Sequence, residues 1–238
     1  MPDRHRDGRI VNDWDYASAY RELLERVTDL VRAHPDELDE VAPATPEWRV
    51  RDIVAHLAGI CDDVAHARLD GVGSEEWTNA QVEPRRGWST ERLLDDWREH
   101  ASAIEPQIGT FPPIVVGQMI TDAYTHEQDI RGALRTRGGR DASALAIAFD
   151  WGTDRLGDRL DQEGHGSVVF ETDTETKTVG PGEPVTRLRA DRFDVVRGFT
   201  GRRSLAQLKA MDWDGPFEPE ALLLSTTLFR PAATDLVE

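Results

Sequence analysis

The sequence predicts a mostly α-helical fold: a four-helix bundle followed by a small α+β unit. Three observations predict it. Four segments before residue 136 carry apolar residues at helical spacing. After that point the periodicity gives way to short β-like runs broken by glycine and proline. The chain's 238 residues, 39% of them hydrophobic, suffice to bury a core. The change of character near Gly138-Gly139 divides the chain into a bundle over residues 10–140 and an α+β domain over 141–238.

The first helix runs roughly from Trp14 to Ala33, with Ala19, Leu23, Val27, Leu30 and Val31 at helical spacing, and His34-Pro35 ends it. A connection containing Pro43 and Pro46 leads to the second, from about Val50 to Leu69. Its apolar arc is Ile53, Val54, Leu57, Ile60, Cys61 and Val64. Residues 70–88, rich in glycine and polar groups, read as a long loop of the kind that often serves binding. The third helix starts at Ser89 or Thr90, both good N-caps, and uses Leu93, Leu94, Trp97, Ala101 and Ile104. Pro112-Pro113 opens the fourth, from about Ile114 to Leu134, and Gly138-Gly139 stops it. Four such helices joined by loops pack as a bundle. Beyond it, Ala142–Leu160 reads as a fifth helix, and Ser167–Thr172 and Val185–Leu188 as strands around a turn at Gly180-Pro181-Gly182. Two short helices near Asp191–Phe199 and Ser204–Met211 and an apolar tail near Leu222–Phe229 complete the chain.

A formal net charge of −17 argues against a nucleic-acid partner, because phosphate binding needs clustered lysine and arginine. No apolar run approaches the roughly 18 residues of a membrane span. The opening MPDRHRDGRI lacks the apolar stretch of a secretory signal. Cys61, the only cysteine, excludes an internal disulfide and fits a reducing compartment, so a soluble cytoplasmic protein is expected.

The informative stretch is Asp122-Ala-Tyr-Thr-His126-Glu-Gln-Asp129 on the fourth helix. At about 100° per residue, Asp122, His126 and Asp129 fall within roughly 60° of one another, on the side of Val115, Met119 and Ala133. That face should point into the bundle, and buried carboxylates need compensation. A divalent cation is the simplest one, since an acid and a histidine at i and i+4 reach one ion. His56, at the edge of the second helix's arc, is the best candidate for a third ligand, with Asp52 and Asp63 placed to orient its ring. Two imidazoles and a carboxylate suit Zn²⁺, and also Fe²⁺, Mn²⁺ or Ni²⁺; three protein ligands leave a position open for water or substrate. The bland alternative is a hydrogen-bonded polar core without metal. His5, His34, His66, His100 and His165 sit at ends, among charges or beside a glycine turn, where a solvated ring is expected. Cys61 lies on an apolar arc and reads as core. Arg202-Arg203 after Gly201 suits either an anion or solvent.

At these residues the chain resembles a known family. Thr45-Pro-Glu-Trp48-Arg-Val-Arg-Asp52-Ile-Val-Ala-His56-Leu-Ala-Gly59 resembles the helix-two signature of the mycothiol-dependent maleylpyruvate isomerase family, within the wider DinB-like metal-binding superfamily. Asp122-Ala-Tyr-Thr-His126-Glu-Gln-Asp129-Ile-Arg131 resembles its helix-four signature, and Phe199-Thr-Gly201-Arg202-Arg203-Ser204 a segment of its sterol-carrier-like α+β domain. The three motifs occur in matching order over nearly the whole chain. The resemblance implies a DinB-like bundle and a divalent metal, usually zinc, on His56, Asp122 and His126, with Asp129 and Asp52 supporting the ligands. It further implies mycothiol or another low-molecular-weight thiol as cosubstrate, and a small electrophile that undergoes isomerisation or transfer. Arg202 matches the arginine that would bind a substrate carboxylate. The isomerase proper carries glutamate where this chain has Asp122, which weighs against maleylpyruvate as the substrate. A metal-binding or stress-response protein without catalysis is the rival reading.

Overall fold

The computed structural model describes residues 13–225 and 229–238. The first ten residues with His5, the expected start of the bundle at residue 10, and residues 226–228 of the apolar tail lie outside them.

Side chains that accept otherwise unpaired N–H groups set where the helices begin. Asp15 accepts from Ser18 N at the start of α1 (Tyr16–Ala33), and Ser89 from Arg92 N at the start of α4 (Thr90–Ile108). Asp52 accepts from Arg49 N at 2.9 Å and so opens α2 (Val50–Ala65). A proline first turn opens α5 (Pro113–Ala133). These four helices form the bundle: α2 packs on α4 and α5 on α1, and contacts of α1 with α4 and of α2 with α5 close the ring. The apolar residues expected in α1 and α4 are all buried.

The α2 helix ends four residues earlier than its periodicity predicts. Ala67 adopts a left-handed φ of 53°, and Arg68 N bonds Asp63 O, which closes the helix in a tight C-terminal turn. The side chain of Arg68 then pairs with Asp62 and Asp63. The expected loop 70–88 contains a helix, α3 (Glu75–Val82), and a 3-10 turn (Glu83–Arg85). Ser74 caps α3 by accepting from Trp77 N, and Glu75 and Glu76 favour its first turn. The flanking glycines and polar composition obscure so short a helix.

Further on, α6 (Ser143–Glu163) ends at Gly164, whose φ of 70° suits glycine. A four-stranded sheet follows: β1 (Ser167–Glu171), β2 (Thr176–Val179), β3 (Pro184–Arg189) and β4 (Asp212–Asp214), in the order β2-β1-β3-β4. β1 and β3 are parallel, and the two outer pairs are antiparallel. Only the two inner strands are legible in sequence. β2 buries Val179 alone, and β4 half-buries Trp213 between two aspartates, so neither carries an apolar pattern. Two short helices, α7 (Arg192–Phe199) and α8 (Leu205–Ala210), pack near the sheet, and a 3-10 turn at Pro219–Leu222 leads into the expected apolar tail.

The core is continuous across residue 140, because α6 packs on α5 and α1 on one side and on α7 on the other. As a result α5 is buried nearly all round from Met119 to Ile130. Val115, expected to face inward, is 48% exposed in a first turn that projects beyond the bundle. Among the described residues, no helix is long and apolar enough to cross a membrane. Cys61 lies fully buried on α2, its Sγ 3.0 Å from Tyr20 Oη, and burial pushes its thiol up to about 12. Native protein at pH 8 should therefore leave a thiol-reactive dye unreacted, whereas guanidinium-unfolded protein should titrate one thiol per chain. Rapid native reaction would contradict this burial.

Candidate metal centre

His56 lies between one and two turns into α2, and Asp122 and His126 lie one turn apart on α5. Where the two helices pack, one nitrogen or oxygen from each residue comes within 4.8 Å of the others. His56 Nε2 is 3.6 Å from Asp122 Oδ2, and His126 Nε2 is 3.7 Å from Asp122 Oδ1. These separations are too long for hydrogen bonds. Two donors held by one tetrahedral zinc ion sit about 3.3 Å apart, so the spacing fits a shared cation. Asp122 Oδ2 is buried and has no hydrogen-bond partner, an expensive state for a carboxylate oxygen. Burial alone would raise the pKa of Asp122; the charge of His126, a contact with His56 and the charge of Arg202 bring it below the usual value. The group is thus ionised and its inward oxygen lacks a donor. The residues present fit a divalent metal.

Each imidazole is held with Nε2 facing the carboxylate. His126 Nδ1 donates to Asp129 Oδ2 at 3.1 Å, and His56 Nδ1 donates to Gln81 Oε1 at 2.7 Å. The Gln81 amide is oriented in turn, since its Nε2 donates to Asp63 Oδ2 at 2.7 Å. Such partners fix tautomer and ring direction at metal sites. Trp48 covers one side, its ring 4.9 Å from that of His56 and 5.5 Å from that of His126. A turn that pairs Trp48 N with Thr45 O places it there.

Asp52 does not perform the orienting role expected of it: its carboxylate caps α2, a turn away from the His56 ring. Asp63 acts at one remove, through Gln81. Asp129 is where it is expected, fully buried, and it also receives Arg197 Nη2 at 2.8 Å and Arg202 Nη2 at 3.0 Å. Burial would raise its pKa, but Arg202 and Arg197, with His126, hold it well below the carboxylate range. Arg202 is turned inward, giving two groups to Asp129 and Nη1 to Thr200 O. Arg203 is also buried and pairs with Asp194 and Glu238, so the pair does not face solvent.

Neither Gln81 nor Arg197 is singled out by the sequence. Gln81 lies in a stretch read as loop. The only related cue is Gly59 on α2, where a Cβ would collide with the Gln81 side chain. Gln81→Leu should lower metal affinity about 10–100-fold with all three ligands in place. Competition against a chelating dye checks this, and unchanged affinity would make Gln81 a packing residue only.

Asp62, His66 and His100 form a second cluster of similar spacing. Here the carboxylate is fully engaged by Arg68 at 2.7 Å and Arg85 at 3.0 Å, which bring its pKa to about 2 despite burial. Two guanidinium ions occupy the place of a cation. The cluster ties the end of α2 to α4 as an ion-pair network, and purified protein should carry one metal equivalent per chain.

Residues 20–115 match the family model of the mycothiol maleylpyruvate isomerase N-terminal domain. That segment holds His56 and Gln81 but not the α5 motif. Two solved structures of the mycothiol-dependent maleylpyruvate isomerase are similar over both parts. A histidine-to-alanine mutant superposes with a TM-score of 0.58 at 12% identity, covering 86% of this chain and 95% of that one. The other gives 0.55 at 12% identity, covering 79% and 88%. No curated protein matches the sequence. Residues 20–115 thus match the mycothiol maleylpyruvate isomerase N-terminal domain, and the chain over both parts shares the fold of that isomerase.

Proposed function

We propose that the protein holds one divalent metal, zinc first among the candidates, through His56, Asp122 and His126, and acts as a thiol-dependent transferase or isomerase on a small electrophile. The observation that carries the metal reading is the buried, partnerless Asp122 Oδ2 between two imidazoles aimed at it. The thiol reading is supported by the matched domain and by the mycothiol dependence named for the solved relatives. It is also supported by Cys61, whose buried thiol is held by Tyr20 and cannot supply the sulfur itself. Its burial as a lone thiol fits a cytoplasmic setting.

When bound, the metal would stabilise a thiolate at neutral pH, which is the nucleophilic form. Gln81 and Asp129 keep both imidazoles in the ligating tautomer, and Trp48 limits water on one side. The Asp122 side chain is 36% exposed, which leaves an approach for thiol and substrate. Arg202 is the cation that acts on Asp122 from the C-terminal part of the chain. With its N–H groups directed to Asp129 and Thr200, it would attract an anionic substrate through its field more than by a two-pronged grip.

The test is cobalt-substituted protein titrated with mycothiol, glutathione and coenzyme A. A thiolate-to-cobalt absorption band with one of them is expected. Stoichiometric cobalt with no such band for any thiol would favour a non-catalytic metal protein. No cobalt bound at all would remove the metal centre.

A further inference from the structure

The chain is strongly acidic, yet Arg131, Arg135, Arg137 and Arg140 fall within ten residues and line one cavity of about 450 Å³ at the end of α5. Small-molecule pockets have this size. At about 100° per residue, Arg131 lies on the side of α5 opposite Asp122, so the cavity is separate from the metal centre.

The folded chain accounts for only part of this charge. Arg131 is paired with Glu127, and Arg140 donates to Glu238 O while its guanidinium lies 3.9 Å over the Phe193 ring. The carboxylate of Glu238, the one acidic side chain lining the cavity, is taken by Arg197 and Arg203. Arg135 and Arg137 are exposed and form no ion pair among the described residues. Neither is needed to close α5, because Leu134 N, Arg135 N and Thr136 N already bond its last carbonyls. The left-handed φ of 53° at Arg135 belongs to that C-terminal turn, as at Ala67. The turn accounts for the backbone, but it does not account for four like charges around one void. Guanidinium groups match carboxylate and phosphate oxygens in pairs.

We infer that this cavity is a second, metal-independent site for a small molecule carrying two or more negative charges, as carboxylates or phosphate. The test is calorimetric titration of the wild-type protein with tricarballylate and, separately, inorganic phosphate. One anion should bind per chain, more weakly as salt rises. Affinity should fall at least about tenfold in the R135Q/R137Q variant and persist in chelator-stripped protein. Tighter tricarballylate binding would assign the site to polycarboxylates, and tighter phosphate binding to phosphorylated molecules. Three results would overturn the inference: no saturable binding of either probe, equal binding by R135Q/R137Q, or loss of binding on removing the metal.

Discussion

Replacing Arg197 with methionine is expected to destabilise the protein by about 3–5 kcal/mol, measured by urea unfolding at pH 7. The guanidinium is wholly buried and has three partners in two parts of the chain: Asp129 on α5, the Thr125 carbonyl one turn earlier on the same helix, and the Glu238 side chain. Methionine fills similar space but leaves the fully buried Asp129 with Arg202 as its remaining guanidinium partner. The pH dependence follows in sign. Asp129 is held below its unfolded pKa of about 3.9, so its contribution is complete above that pH and is lost as pH falls through the folded value. Without Arg197 that folded value rises, so acid unfolding of the variant should begin at higher pH than in the parent. A loss under about 1 kcal/mol with an unchanged acid transition would mean that the buried pair only balances its own desolvation.

Asp122→Asn should separate metal binding from stability. Metal affinity should fall more than about 100-fold, beyond the effect of removing a supporting partner, because an anionic donor is replaced by a neutral amide. The metal-free protein should lose no more than about 1 kcal/mol, because the attraction of His126, His56 and Arg202 for the carboxylate is largely offset by the cost of burying an oxygen without a partner. Dye competition gives the first quantity and thermal unfolding of stripped protein the second. Retained metal affinity with a stability loss above about 1 kcal/mol would make Asp122 a structural carboxylate and not a ligand.

Much of this architecture is legible because helical order is local. The spacing of Leu23, Val27 and Leu30, or of Leu93, Leu94 and Trp97, needs only the turn of a helix to become a buried face. The same turn places Asp122 and His126 together on α5. Low amphipathicity hides other features. Glu127 and Gln128 look like a solvated pair, yet both are buried, because Arg26 of α1 and Arg131 take the carboxylate and the chain turning back after α5 accepts from the amide. The outer strands β2 and β4 escape notice for the opposite reason: each buries too little to leave a pattern.

By itself, then, the sequence determined the long helices, the starts of α4 and α5, and the pair of α5 donors, all of which depend on neighbours a few residues apart. Only the tertiary structure decided which group holds each ligand. Gln81 reaches His56 across 25 residues and Arg197 reaches Asp129 across 68. Hydrogen bonds over such separations exist only after packing has brought the elements together, so no local rule of spacing encodes them.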